Sequence, residues 1–245
     1  YGWTVDGARF DWAEFLQAKE REIARLSGLY AANLAKAGAE LLNGRAVFKD
    51  AHTLEVTARD GRRTVHTAEN ILNATEGRPW VHDTIPGGKH VNTSKEAFHL
   101  PEPPKRKLIA GGGYIAVEFA GIFAGLGVET TLVYRGPNLL RGFDEDVRAH
   151  LAEEMTRQGV KLVLGAQHQA IEKGETGLTS RLSNGMEIET DAVMFATGRV
   201  PYVQGLGLEA AGVELTETGA VRVDDYSRTT ADHIWAIGDV ADRMA

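Results

Sequence analysis

The chain has 245 residues, 43% of them hydrophobic and 25% charged, and a formal net charge of −7. That is enough for one large or two ordinary soluble domains, and the acidic balance argues against a nucleic-acid or anionic-membrane partner. It contains no cysteine, which excludes structural disulfides, thiolate-held metal and a redox-active dithiol within these residues; no apolar run approaches the roughly 20 residues of a membrane span.

Residues 1–10 are expected to be irregular. Asp11-Trp12-Ala13-Glu14 resembles a capping box, and a long helix should follow to about Ala37, stopped by Gly38. Phe15, Leu16, Ile23, Leu26, Tyr30 and Leu34 give it a mostly apolar side. From this pattern Tyr30 reads as a core aromatic. Short strands are expected at Ala39–Leu42, Arg45–Phe48, Thr53–Thr57, Arg63–Thr67 and Asn70–Thr75. Asp60-Gly61 marks a hairpin within this meander. Residues 76–106 are rich in Pro and Gly and read as loop, with Pro101–Lys107 as the linker into the next unit. Lys105-Arg106-Lys107 reads as a solvated strand start.

From Lys107 to Tyr134 the pattern becomes strand, turn, helix, strand. Lys107–Ala110 is apolar and extended. Gly111, Gly112 and Gly113 turn the chain, and a helix with Ile115, Phe119, Ile122, Phe123 and Leu126 on a buried side leads to a strand at Thr130–Tyr134. Gly111, Gly113 and Ala116 form a G-x-G-x-x-A dinucleotide-binding fingerprint in its structural context. Gly111 permits the tight turn, Gly113 carries no Cβ to keep a pyrophosphate from the backbone, and Ala116 is small enough for close helix–strand packing. An anion on the helix N-terminus is favoured by the free N–H groups and the helix dipole. NAD sites usually carry Asp or Glu at the end of the second strand. Here that position offers Arg135, with Arg141 six residues on, and no carboxylate; Glu129 lies at the wrong end. Two guanidiniums suit a 2′-phosphate, so the pattern predicts NADP(H).

A second helix is expected from Asp144 to Gln158, then a strand at Val160–Leu164 and an antiparallel meander over residues 167–190 turning at Ser183-Asn184-Gly185. Ala192–Ala196 reads as a buried strand. Val221–Asp224 and His233–Asp239 read as a strand pair ending in Gly238-Asp239. The eight histidines show no metal-ligand spacing, so no metal site is expected; His66, His82, His90 and His99 read as surface or packing residues. Two stretches echo one another: Ala74-Thr75-Glu76-Gly77-Arg78-Pro79 and Ala196-Thr197-Gly198-Arg199-Val200-Pro201 each follow an apolar strand and a β meander. The fold class is therefore α/β, with two Rossmann-like nucleotide-binding domains carrying β meanders, the first incomplete. Residues 1–79 read as part of an FAD-binding domain, 80–201 as the NADP(H)-binding domain and 202–245 as a return to the first.

The ordered set of meander, ATEGRP, GGGYIAVE, VYR followed by Arg141, ATGRVP and IWAIGDVA resembles the flavoprotein disulfide reductases, nearest to bacterial glutathione-disulfide reductases. The resemblance covers essentially the whole chain. It implies passage of a hydride from NADPH to FAD, reduction of a Cys-x4-Cys disulfide by the flavin, and reduction of glutathione disulfide by that pair. It further implies a homodimer, and the reduced-thiol chemistry with no visible signal sequence points to the cytoplasm. By position, Tyr114 matches the tyrosine that covers the nicotinamide pocket, and Glu118 the glutamate near the flavin–nicotinamide contact. Gly198, Ala46, Thr75, Gly238 and Asp239 fall at cofactor-binding positions, Ala46 and Thr75 towards the adenosine half of FAD and Asp239 at its ribityl chain. Tyr30 matches the tyrosine of the glutathione site. Two residues depart from the pattern. Glu76 stands where the family motif has glycine, where a carboxylate would repel or crowd FAD, and Asn73 replaces an apolar strand residue. The Cys-x4-Cys segment is not among these residues. A chain that holds NADP(H) without transferring electrons is the alternative class, as is a related reductase with another disulfide substrate. Dihydrolipoamide dehydrogenase is disfavoured, because it should carry an acid after the second strand.

Overall fold

The computed structural model describes residues 7, 9–82 and 84–242. Most of the irregular start expected for residues 1–10 lies outside them. In chain order the elements are α1 (Trp12–Lys36), β1 (Arg45–Phe48), β2 (Thr53–Thr57), β3 (Arg63–Thr67), β4 (Ile71–Asn73), β5 (Gly77–Pro79), α2 (Ser94–Ala97), β6 (Arg106–Ala110), α3 (Tyr114–Gly125) and β7 (Glu129–Tyr134). They continue with α4 (Glu145–Arg157), β8 (Lys161–Leu164), β9 (His168–Lys173), β10 (Leu178–Leu182), β11 (Glu187–Thr190), β12 (Ala192–Phe195), β13 (Arg199–Pro201) and β14 (Ile234–Ala236). The fold is α/β with parallel and antiparallel sheets. It divides into two compact units, one formed by residues up to Ile23 with Pro79–Gly198, the other by Ala24–Arg78 with the residues from Arg199 on. The leading half of α1 thus groups with the parallel-sheet unit, whereas the sequence pattern groups residues 1–79 together.

The first unit is built on a four-stranded parallel sheet in the order β12-β6-β7-β8. Its strands are covered on both faces, which is why they read as near-continuous apolar runs. On one face Ile109, Leu132 and Met194 pack against Phe119 and Phe123 of α3 and Met155 of α4, with Trp12 at the edge. On the other, Leu108, Ala110, Val133, Val193 and Phe195 pack against Ile171, Leu178 and Leu182 of the antiparallel meander β9-β10-β11. Each large side chain so buried contributes about 1.5–3 kcal/mol. The buried stripe of α3 is Ala116, Phe119, Ala120 and Phe123; Ile122, expected among them, is 46% exposed.

The solvated reading of Lys107 is overturned. Lys107 is fully buried, because β12 pairs along β6 with Ala192 beside it. Its ammonium donates to Asn92 Oδ1 at 2.9 Å and lies 5.0 Å from the centre of the Phe123 ring. Burial pushes its pKa down to about 8. Arg106, by contrast, pairs at the start of β6 with Asp191 at 2.8 Å. The loop region also holds an element the sequence reading missed, the single turn α2. Thr93 and Glu96 form a reciprocal capping box at its start.

In the second unit β1, β2 and β3 form an antiparallel sheet, turned at Asp60-Gly61 where Asp60 Oδ1 accepts from Arg62 N–H at 3.0 Å. β4 and β14 form a parallel pair in the register Ile71↔Ile234, and β5 pairs with β13. The strand pair expected from Val221–Asp224 and His233–Asp239 does not form: β14 takes β4 as its partner, and Val221 N–H donates to Val240. Phe48, Ile71, Leu206, Leu208, Val213, Val221, Ile234 and Val240 make the core. Ala39–Leu42 is not a strand; it lacks β-branched residues and has no partner among the described strands. The apolar side of α1 is not buried either: no residue of that helix is buried, and Tyr30 is 69% exposed. The core-aromatic reading of Tyr30 therefore falls.

Candidate cofactor site

The glycine turn between β6 and α3 is shaped by what a side chain would meet there. Gly111 has φ +138°, and a Cβ on it would lie 2.3 Å from the Ala196 carbonyl oxygen and 3.2 Å from Ala116 Cβ. Both the backbone and the space demand glycine, and Ala116, fully buried, is as large as the helix–strand approach allows. A Cβ on Gly112 would strike the Tyr134 ring at 2.4 Å. Gly113 differs: nothing lies within 4 Å of where its Cβ would be. The backbone there is open to a ligand. Gly113 is also the N-cap of α3 and offers no side chain to the helix's first amides. These free N–H groups and the dipole behind them suit a pyrophosphate.

At the C-terminal end of β7, Arg135 and, farther along the loop, Arg141 are both exposed. Neither pairs with a carboxylate among the described residues. Glu129, at the other end of the strand, is bound to Lys161. Leu140 N–H donates to Gly112 O at 2.7 Å, so the loop bearing the arginines is tied to the glycine turn. Asp144 caps α4 behind it, accepting from Asp146 N–H at 3.0 Å. Tyr114 opens α3 with 59% of its surface exposed, so it is not a packed core residue of the helix. Glu118 lies one turn further along the same helix and is exposed. Gly198, with φ +147°, closes the unit, its carbonyl accepting from Trp80 N–H at 3.0 Å.

The remaining predicted residues lie in the second unit. Thr75 Oγ1 donates to Tyr202 O at 3.0 Å. Asp239 Oδ2 accepts from Arg199 Nε at 2.9 Å, and Arg199 also donates to Gly77 O. Arg199 therefore binds the two echoing motifs and the terminal Gly-Asp together, a role sequence reasoning missed although the arginine recurs in both motifs. One oxygen of Asp239 stays free of this pair, and Gly238 beside it has φ +75°. Ala46 lies exposed on β1. Glu76 sits at φ +63°, the left-handed region that a glycine would occupy without strain. Asn73 is buried with its amide nitrogen unpartnered, while its Oδ1 accepts from Thr75 N–H at 3.2 Å. Sequence reasoning also passed over His168. It is buried against Phe195 with neither ring nitrogen partnered, and desolvation pushes its pKa down to about 4. Among the described residues no cluster of His, Asp or Glu could hold a metal ion, and no helix is long and apolar enough to cross a membrane.

The pyridine nucleotide-disulphide oxidoreductase family model matches residues 6–245. Glutathione reductase of Nostoc sp. is 42% identical over 256 residues, covering 100% of this chain and 54% of that protein. Glutathione reductase of Burkholderia cepacia is also 42% identical, with 100% and 53% covered. The chloroplastic/mitochondrial glutathione reductase of Pisum sativum is 41% identical, with 100% and 44% covered. Among solved structures, the HOCl-induced flavoprotein disulfide reductase RclA from Escherichia coli superposes with a TM-score of 0.86 at 32% identity, covering 95% of this chain and 53% of that one. The chain thus spans about half the length of the relatives it matches.

Proposed function

The chain belongs to the pyridine nucleotide-disulphide oxidoreductase family, and from that premise we propose that it supplies the NADP(H)-binding domain and part of the FAD-binding domain of an NADPH-dependent glutathione-disulfide reductase. The observation that carries the reading is the pair of exposed guanidiniums, Arg135 and Arg141, unpaired with any carboxylate among the described residues, beyond an N-terminus of α3 that has no side-chain cap. Gly111, Gly113 and Ala116 would admit the pyrophosphate, and the two arginines would hold the 2′-phosphate through charge-assisted hydrogen bonds. Tyr114, exposed beside Gly113, would cover the nicotinamide pocket, with Glu118 near the flavin–nicotinamide contact. In the second unit Asp239, held by Arg199, would accept from the ribityl chain, with Gly238, Ala46 and Thr75 as further cofactor-binding positions there and Gly198 as one in the first unit. The chemistry the two cofactors supply when bound is hydride transfer from NADPH to FAD. Exposed Tyr30 is assigned to the glutathione disulfide site.

We extend the proposal, on the same resemblance, to a cytoplasmic homodimer. The test is spectroscopic. The full-length protein should be yellow, and NADPH should be consumed on addition of glutathione disulfide far faster than NADH. A colourless protein would remove the flavin part of the reading. A flavoprotein that oxidises NADPH with another disulfide but not with glutathione disulfide would remove the substrate part alone.

A further inference from the structure

The two arginines assigned to the 2′-phosphate stand at either end of the loop 135–141, which has no regular backbone ladder of its own. Leu140 within it is a non-glycine residue at φ +49°. Left to itself, such a turn would populate other conformations and scatter Arg141. Several contacts hold it. Leu139 is fully buried in the core beneath. Leu140 N–H reaches Gly112 O. The Tyr134 ring fills the space beside both Gly112 and Gly136. Arg148, partly buried on α4, donates from Nε to Leu139 O at 2.6 Å and from Nη2 to Asn138 O at 3.2 Å.

We propose that Arg148 is a positioning residue for the recognition of the 2′-phosphate, fixing the turn that sets Arg141. Its guanidinium is directed at two successive carbonyls of the protein itself. The planar fork is what this geometry uses, since one ammonium offers no matching pair of fixed donors. Through the Leu140–Gly112 hydrogen bond, the same turn is held in register with the glycines assigned to the pyrophosphate. The cofactor-reading loop is therefore organised before ligand arrives, and less of the binding free energy is lost in ordering it. The inference rests on the NADP(H) reading above.

The experiment compares 2′,5′-ADP with 5′-ADP by calorimetry on the wild-type protein, Arg148→Lys and Arg148→Gln. The wild type should prefer 2′,5′-ADP. Both variants should lose about tenfold of that preference while binding 5′-ADP within about twofold of wild type, the lysine failing although it keeps the charge. Full preference in Arg148→Lys would overturn the proposal, since charge alone would then suffice. Equal weakening of both nucleotides would overturn it as well, as general loss of the site. A wild type without preference would instead overturn the 2′-phosphate reading, and this inference with it.

Discussion

Replacing Lys107 by Met should stabilise the protein, and the effect should vanish in alkali. The depression of the Lys107 pKa from 10.5 to about 8 comes from burial. At about 1.4 kcal/mol per unit, the charged form costs the fold about 3 kcal/mol near neutral pH. Methionine keeps the apolar stem and removes the charge. Against that stands the hydrogen bond to Asn92 Oδ1, worth about 1 kcal/mol and partly recovered by water, since Asn92 is only half-buried. The net gain near pH 7 is about 2 kcal/mol. The sign follows from linkage: a base whose folded pKa lies below its unfolded one penalises the fold fully below about 8. The penalty is relieved as pH rises from there towards the unfolded value of about 10.4. Urea unfolding of wild type and Lys107→Met, near pH 7 and again near pH 10, isolates this group in the difference. The gain should fall to about zero at the higher pH. A gain that does not change with pH, or a variant less stable near pH 7, would refute the assignment of the cost to a buried charge.

Changing Arg135 and Arg141 together to Gln should weaken NADPH binding by about a hundredfold or more, at about 1.5–3 kcal/mol per charge-assisted contact, with little effect on NADH; fluorescence titration with both reads this, and equal losses would dismiss the 2′-phosphate assignment. Glu76→Gly relieves a side chain held at φ +63° and should raise stability by about 1 kcal/mol in thermal or urea unfolding; an unchanged or lower midpoint would count against backbone strain there. His168 has its pKa lowered to about 4 by burial, so stability present above its unfolded value of about 6.5 is lost as pH falls between the two. His168→Leu should flatten that acid limb, and an unaltered limb would show that other groups carry it.

The glycine turn, the place of Arg135 at the end of β7 and the α4 boundary were legible because each is local. They rest on conformational freedom, helix capping and charge within a short stretch of chain. What failed depends on partners distant in sequence. Lys107 sits in a basic triplet that reads as solvated, and only β12, arriving from residues 192–195, buries it. The side of α1 from Phe15 to Leu34 has a helical apolar period, but periodicity states which residues share a face and not what covers it. Arg148 and Arg199 were invisible because an arginine on a helix or after a strand looks solvated until its carbonyl acceptors are in place. The capping box at Thr93 and Glu96 was there to be read, hidden by the prolines and glycines around it.

The hydrogen bond from Trp80 N–H to Gly198 O has a kinetic side. It joins the two ends of the inserted stretch Pro79–Gly198. The core of the other unit, where Ile71 lies beside Ile234, must close around that whole insert. With the insert unfolded this is the closure of a very long loop. Once the insert has folded and its ends meet, the same contact spans what is in effect a short connection, and the entropy of closure has already been lost in a separate step. The stretch Pro79–Gly198 should therefore fold first, and the pairing of Ile71 with Ile234 should follow.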